Sequence, residues 1–237
     1  MIPGLKAQKF NNQVLKKISE RITNIWKERQ SFTFLLVVLV IYIFVVLPFL
    51  NERFIGRLLF IIFYIIFLSS GIHFLANKRI TGIILIFIIV PFLVLISEIF
   101  FTLPWLTLVI DLFIILYCIW LGFVILRRTF SKGHITLNRV QGAIIVYLLS
   151  GFAFGLLYHG IYLLNGLSSF KGLVNFHRAE FMYFSFTTLT TLGFGDIIPV
   201  NIFARLCTNL EALNGQLYPA ILIARLVSME LTSTKND

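Results

Sequence analysis

The stretch Thr187–Asp196, TTLTTLGFGD, places four threonine hydroxyls and two glycines inside a chain made mostly of Phe, Ile, Leu and Val. Oxygens at that density suit a dehydrated cation, which needs several of them held close. A backbone can supply them if consecutive carbonyls point the same way. Extended strands alternate instead, so residues at intervals must enter left-handed or mirror-region conformations. Glycine does so with least strain. Gly193 and Gly195 are spaced to allow it, which makes the carbonyls of Thr191, Leu192, Gly193 and Phe194, with the Thr191 hydroxyl below them, the candidate ligands.

Such a run needs elements that hold it in place. The chain has 237 residues, 59% of them hydrophobic and only 13% charged, with 26 Phe, a balance that excludes an ordinary soluble domain. Apolar stretches long enough for a hydrocarbon core of ~30 Å occur at Phe32–Leu50, Leu58–Ala76, Ile80–Phe100, Trp105–Leu126 and Val140–Leu164, with a weaker one at Phe203–Val227. Six spanning helices are therefore expected. The first apolar run begins at Phe32, is too long for a signal core and is followed by no small-residue cleavage site. Cys118 and Cys207 both fall within spans and read as apolar fillers.

Between the last two spans, HRAEFMYFSFTTLT, residues 177 to 190, reads as a helix of about 20 Å at 1.5 Å per residue, enough to enter a bilayer and not to leave it. It is predicted to be re-entrant. Non-helical backbone at that depth survives where it is buried in protein or lines water, and the run after it stands in that position. The negative C-terminal end of this short helix would favour a cation beyond it.

The net charge of +10 does not mark a nucleic-acid surface, because the basic residues collect at helix ends and do not form a patch interleaved with aromatics. Seven precede the first span, Lys78 and Arg79 join the second to the third, and Arg127, Arg128, Lys132 and Arg139 join the fourth to the fifth. The alternate loops hold fewer, so both termini are expected in the cytoplasm of a multi-pass protein of the cell membrane. Residues 14–26 carry apolar side chains at helical spacing among Lys16, Lys17, Arg21 and Lys27, which reads either as a helix on the inner leaflet or as a solvated basic tail. The fourth span has no basic residue before Arg127, which argues against conventional voltage sensing. The polar connector RRTFSKGHITLNR then suggests a division into a basic N-terminal segment 1–31, a peripheral four-helix bundle 32–128, a linker 129–138 and a pore domain 139–237. Because the chain ends at Asp237, regulation is expected through the N-terminal segment, the bundle, lipids or another chain.

Thr-Thr-Leu-Gly-Phe-Gly-Asp resembles the selectivity filter of potassium channels, and the similarity runs from about Arg139 to Leu231. It implies an all-α membrane protein of six transmembrane helices with a re-entrant pore helix and filter. Four chains would be needed, since one chain supplies one wall of the ring; a homotetramer is expected, and a mixed assembly stays open. Potassium would be held by Thr191, Leu192, Gly193 and Phe194, with Gly195 completing the filter and Thr188, Thr190, Asp196, Tyr183 and Phe184 supporting it. Potassium ions are then the permeant ligand, lipids the surroundings, and no cofactor or covalent chemistry is implied. Leu192 and Phe194 replace the commoner Val and Tyr, while Tyr183 and Phe184 stand where many members carry tryptophans. A weaker hydrogen-bonded cuff is expected.

Pro219 cannot donate to the carbonyl four residues earlier, which belongs to Gly215, so the two mark either a gating hinge or a static kink in the last helix, with the mouth near Ala224 and Ser228. Glu211, Asp111 and Glu98 are carboxylates within or at the end of spans and must find partners or water. Glu211 is read as a support behind the filter, or else a cavity charge; Asp111 and Glu98 are expected to pair with hydroxyls or amides, or else to sense protons or voltage. Asn209 and Asn214 are further polar residues of the last span. His177 beside Glu180 is the candidate external pH sensor, and His73, His134 and His159 are too scattered for a metal site. Two other readings stay open. GFGD also matches the G-x-G-D of intramembrane aspartyl proteases, with Asp196 and Asp111 as the acid/base pair; six spans, Pro199 and the threonine run oppose it. The same architecture could also be a weakly selective cation channel.

Overall fold

The computed structural model describes residues 32–46, 62–63, 65–67, 104–130, 136–174 and 177–234. The expectations for the N-terminal segment, most of the second span, the third span, Glu98, His73 and His134 lie outside the described residues.

Helix α1, Phe32–Val46, ends in a widened π turn over Tyr42–Val46. Helix α2 runs over Pro104–Thr129. Proline suits a first helical position, where its missing N–H has no intrahelical partner to lose, and Arg127 and Arg128 lie in the last turn beside the exposed carbonyls. Helix α3, Leu137–Asn165, stops where Gly166 adopts φ 66° and returns its N–H to the Tyr162 carbonyl. Among the described residues, Pro104–Thr129 and Leu137–Ser168 are long and apolar enough to cross a membrane, in the places of the fourth and fifth expected spans. This is an all-α membrane fold.

The pore-helix candidate, α4, covers Arg178–Leu189. The last helix, α5, covers Ile202–Thr234 and continues through Pro219. Asn201 caps α5 by accepting the Phe203 N–H on its side-chain oxygen at 2.8 Å. Between α3 and α4, Phe170–Lys171 (β1) pairs antiparallel with Ile198–Pro199 (β2), Phe170 opposite Pro199 and Lys171 opposite Ile198. A two-residue ladder has no periodicity to be read in advance.

Two cores position the candidate site. One lies among α1, α2 and α3 and includes Leu35, Leu39, Ile110, Ile114, Leu121 and Leu149. The other lies behind α4, where Tyr158, Phe170, Phe181 and Phe184 meet edge to face at centroid distances of 5.0–5.8 Å. Helix α4 approaches α3 closely because α3 presents glycines. A Cβ on Gly151 would sit 3.0 Å from Leu189 Cδ2, and one on Gly155 would sit 3.1 Å from Met182 Cα. Small residues four apart allow two backbones to meet where lipid offers no hydrophobic drive.

Candidate functional site: the glycine-spaced run and its supports

Twelve residues make α4 about 18 Å long, too short to cross a bilayer. After it the backbone alternates. Thr191 has φ 60°, Gly193 φ 53° and Gly195 φ 78°, while Leu192 and Phe194 between them do not have positive φ. Thr191 is β-branched and left-handed, a conformation L-residues avoid, and such strain persists where surrounding bonds fix it. Those bonds are present: the Thr191 N–H donates to Thr188 O at 2.9 Å, and the N–H groups of Leu192 and Gly193 donate to Thr187 O at 2.8 and 3.3 Å. Thr187 and Thr190 turn their hydroxyls back onto the carbonyls of Phe184 and Phe186. Thr188 is buried behind the run.

The far end of the run is held from three sides. The Tyr183 hydroxyl donates to Asp196 Oδ2 at 2.7 Å, and the Ile197 N–H donates to Asp196 Oδ1 at 3.0 Å. The Tyr183 bond first, then the Ile197 N–H, holds the Asp196 carboxyl below its ordinary 3.8. Gly172, at φ 88°, leaves room for the Asp196 carbonyl where a Cβ would collide with it. Glu180 accepts the Val174 N–H on both carboxylate oxygens, at 3.1 and 3.2 Å, which ties the β1 segment to the first turn of α4. The expectation of a weaker cuff changes in kind: Tyr183 carries a bond to Asp196, while Phe184 is buried in the aromatic core.

Behind the run, Glu211 is fully buried. Its Oε2 accepts from the Tyr158 hydroxyl at 2.6 Å, and its Oε1 meets the Ser185 hydroxyl, which also lies 2.6 Å from the Gly151 carbonyl oxygen. Three helices meet at this carboxyl. The Leu189 carbonyl accepts from the Tyr147 hydroxyl at 3.1 Å and presses against Gly215, where a Cβ would collide with it. The glycine expected as a hinge is thus a contact point between α5 and the end of α4.

Asp111 differs from expectation. Its partners are an imidazole and a guanidinium: His159 Nδ1 lies 2.5 Å from Oδ2, and Arg178 Nε donates to Oδ1 at 3.0 Å. A buried carboxylate is stabilised more by a charged donor such as the guanidinium than by hydroxyls. The sequence left this trio apart because its members are 48 and 67 residues from Asp111. The signal available was that two ionisable residues inside spans, Asp111 and His159, each required a partner. Asp111 and Asp196 are engaged by different residues and do not pair as a protease dyad would require. Cys118 is a buried free thiol and Cys207 a half-buried one, while His177 is the exposed residue preceding α4.

Residues 142–231 match the family model described as an ion channel. Over these residues the chain is similar to an ion-channel module. The searches of curated proteins and of solved structures each found no match. The channel module takes in nearly all of α3, the β1–β2 pair, α4, the glycine-spaced run and most of α5. Asp111 lies before it, while both of its partners, His159 and Arg178, lie within.

Proposed function

We propose that the chain conducts potassium passively and selectively through a pore formed by four copies, each contributing Thr191–Gly195 as one wall of the filter. The observation that carries this reading is the left-handed backbone at Thr191, Gly193 and Gly195. Alternation at every second residue is the conformation that turns successive carbonyls to one side, and a ring of such walls replaces an ion's hydration shell. Exposure supports assembly: in the single chain Leu192 and Phe194 are 60% and 66% exposed, and α5 exposes Leu206, Leu210, Leu213, Leu217 and Ile221 along its length. Neighbouring copies would cover these faces and leave lipids against the outward residues of α2. The C-terminal end of α4 adjoins the start of the filter and lends its negative pole to the site. The absence of basic residues in α2 before Arg127 supports opening that is not conventionally voltage-driven. The protein would sit in the cell membrane with both termini in the cytoplasm.

The test is flux from liposomes containing the purified full chain, compared in potassium and in sodium. Potassium flux well above sodium flux is expected, and Gly193→Ala should abolish it. Apart from its two sequence neighbours, a methyl at Gly193 meets no atom of its own chain within 4 Å, so the loss would report the backbone conformation. Equal fluxes would replace this reading with a weakly selective cation pore. An assembled but silent protein would end it.

A further inference from the structure

We propose that Asp111 is a positioning residue for the filter, through which helix α2, lying before the channel module, sets the pore helix by way of Arg178. This rests on the function proposed above.

Arg178 is the first residue of α4. The N-terminal end of a helix carries positive potential from its unpaired N–H groups, so a guanidinium there is repelled by its own helix. Its side chain is only 17% exposed, and water can offset little of this. Asp111 offsets it: the carboxylate side chain is 2% exposed, with Oδ1 3.0 Å from Arg178 Nε and 2.9 Å from a terminal guanidinium nitrogen. The other oxygen faces His159 of α3, so one carboxylate joins α2, α3 and α4. A buried ion pair broken on one side leaves an uncompensated charge, and the structure must move to solvate it.

What moves is the filter's own support. Helix α4 is rigid and short, and its other end carries Thr187 and Thr188, whose carbonyls accept the N–H groups of Thr191, Leu192 and Gly193. Displacing Arg178 tilts the helix that holds those carbonyls. At the opposite end of α2, the Phe130 ring lies 4.9 Å from the Arg225 guanidinium of α5. The region before the module therefore touches it near both ends of α2; α4 also shares the apolar core through Met182, and the charged contact with it is made by Asp111.

The experiment is hydrogen exchange on the full chain in liposomes, read at the amides of Leu192 and Gly193, together with cation flux. Asp111→Asn should speed exchange at these amides about tenfold while leaving the amides of residues 143–150 unchanged, a size typical of coupling between sites. Asp111→Glu should stay near wild type. Asp111→Asn with Arg178→Gln, which removes both charges, should recover most of the protection and, where wild type conducts, most of the flux. Unchanged exchange in Asp111→Asn overturns the proposal, as does uniform acceleration across α3 and α5, or a double variant that combines the two losses. If Asp111→Asn does not assemble, the double variant decides: regained assembly supports the pairing, and continued failure refutes it. A wild-type chain that carries no ion sinks the proposed function and leaves the exchange result standing.

Discussion

The Tyr183 hydroxyl donates to the Asp196 carboxylate at 2.7 Å, joining the middle of α4 to the residue that ends the glycine-spaced run. Together with Gly172 against the Asp196 carbonyl, it fixes the far end of a backbone that already carries strain at Thr191. Tyr183→Phe removes the hydroxyl and keeps the ring. Potassium current is expected to decay several-fold faster during sustained conduction, with assembly unchanged, as measured by flux time courses. Decay at the wild-type rate would show that the bond does not support the filter.

The same bond predicts a response to acid. Asp196 is held below its ordinary 3.8 by Tyr183, so the stabilisation is fully present above that value and is lost as pH falls through the lower folded value. Flux should therefore be insensitive to this group at neutral pH and decline in strongly acidic outer solution. Asp196→Asn should reproduce the declined state at pH 7. Equal flux from Asp196→Asn and wild type at neutral pH would exclude the carboxylate from filter support.

How much of this could be read beforehand depends on where each partner lies. The alternating backbone was legible because its determinants are local: Gly193 and Gly195 alternate, and the threonines follow a helix too short to span. Glu211 could be marked as a carboxyl in need of partners, but Tyr158 and Ser185 are 53 and 26 residues away, and only packing brings them to it. Arg178 fell inside the predicted short helix, but nothing local marked it as a half-buried cation whose counter-charge comes from another span. Gly151 and Gly155, four apart, carried an unread signal of close helix approach.

The Glu211 network distinguishes a neutral carboxyl from a charged one. Ser185 has one hydrogen and faces two acceptors, the Gly151 carbonyl oxygen and Glu211. The donors and acceptors balance if Glu211 carries the proton and donates to Ser185, Ser185 donates to Gly151, and Tyr158 donates to the second Glu211 oxygen. A glutamine reproduces that pattern with its NH₂ and carbonyl. Glu211→Gln should therefore keep the thermal stability and flux of wild type, whereas Glu211→Ala takes the carboxyl partner from the buried Tyr158 and Ser185 hydroxyls and should cost about 3 kcal/mol. Equal damage from both variants, read by thermal melting of the detergent-solubilised assembly, would mean that the network needs a charge.

Gly215 and Pro219 separate packing from bending. The structure places the Leu189 carbonyl where a Gly215 side chain would go, with Leu189 Cα 3.2 Å from the same point, and Leu189 immediately precedes Thr190 and the left-handed Thr191. Backbone cannot yield as a flexible side chain can, so Gly215→Ala must push α5 away from the end of α4, at an overpacking cost of about 1–3 kcal/mol. Pro219 lies one turn further along a helix that continues through it, and Pro219→Ala restores an N–H donor without adding bulk against α4. If Gly215 serves contact, Gly215→Ala lowers melting temperature and flux while Pro219→Ala is neutral or stabilising. If the pair forms a hinge, both change the open fraction in single-channel recordings and leave melting near wild type. The close approach of Leu189 favours the first outcome, and a Gly215→Ala channel with wild-type melting and altered opening would reverse that assignment.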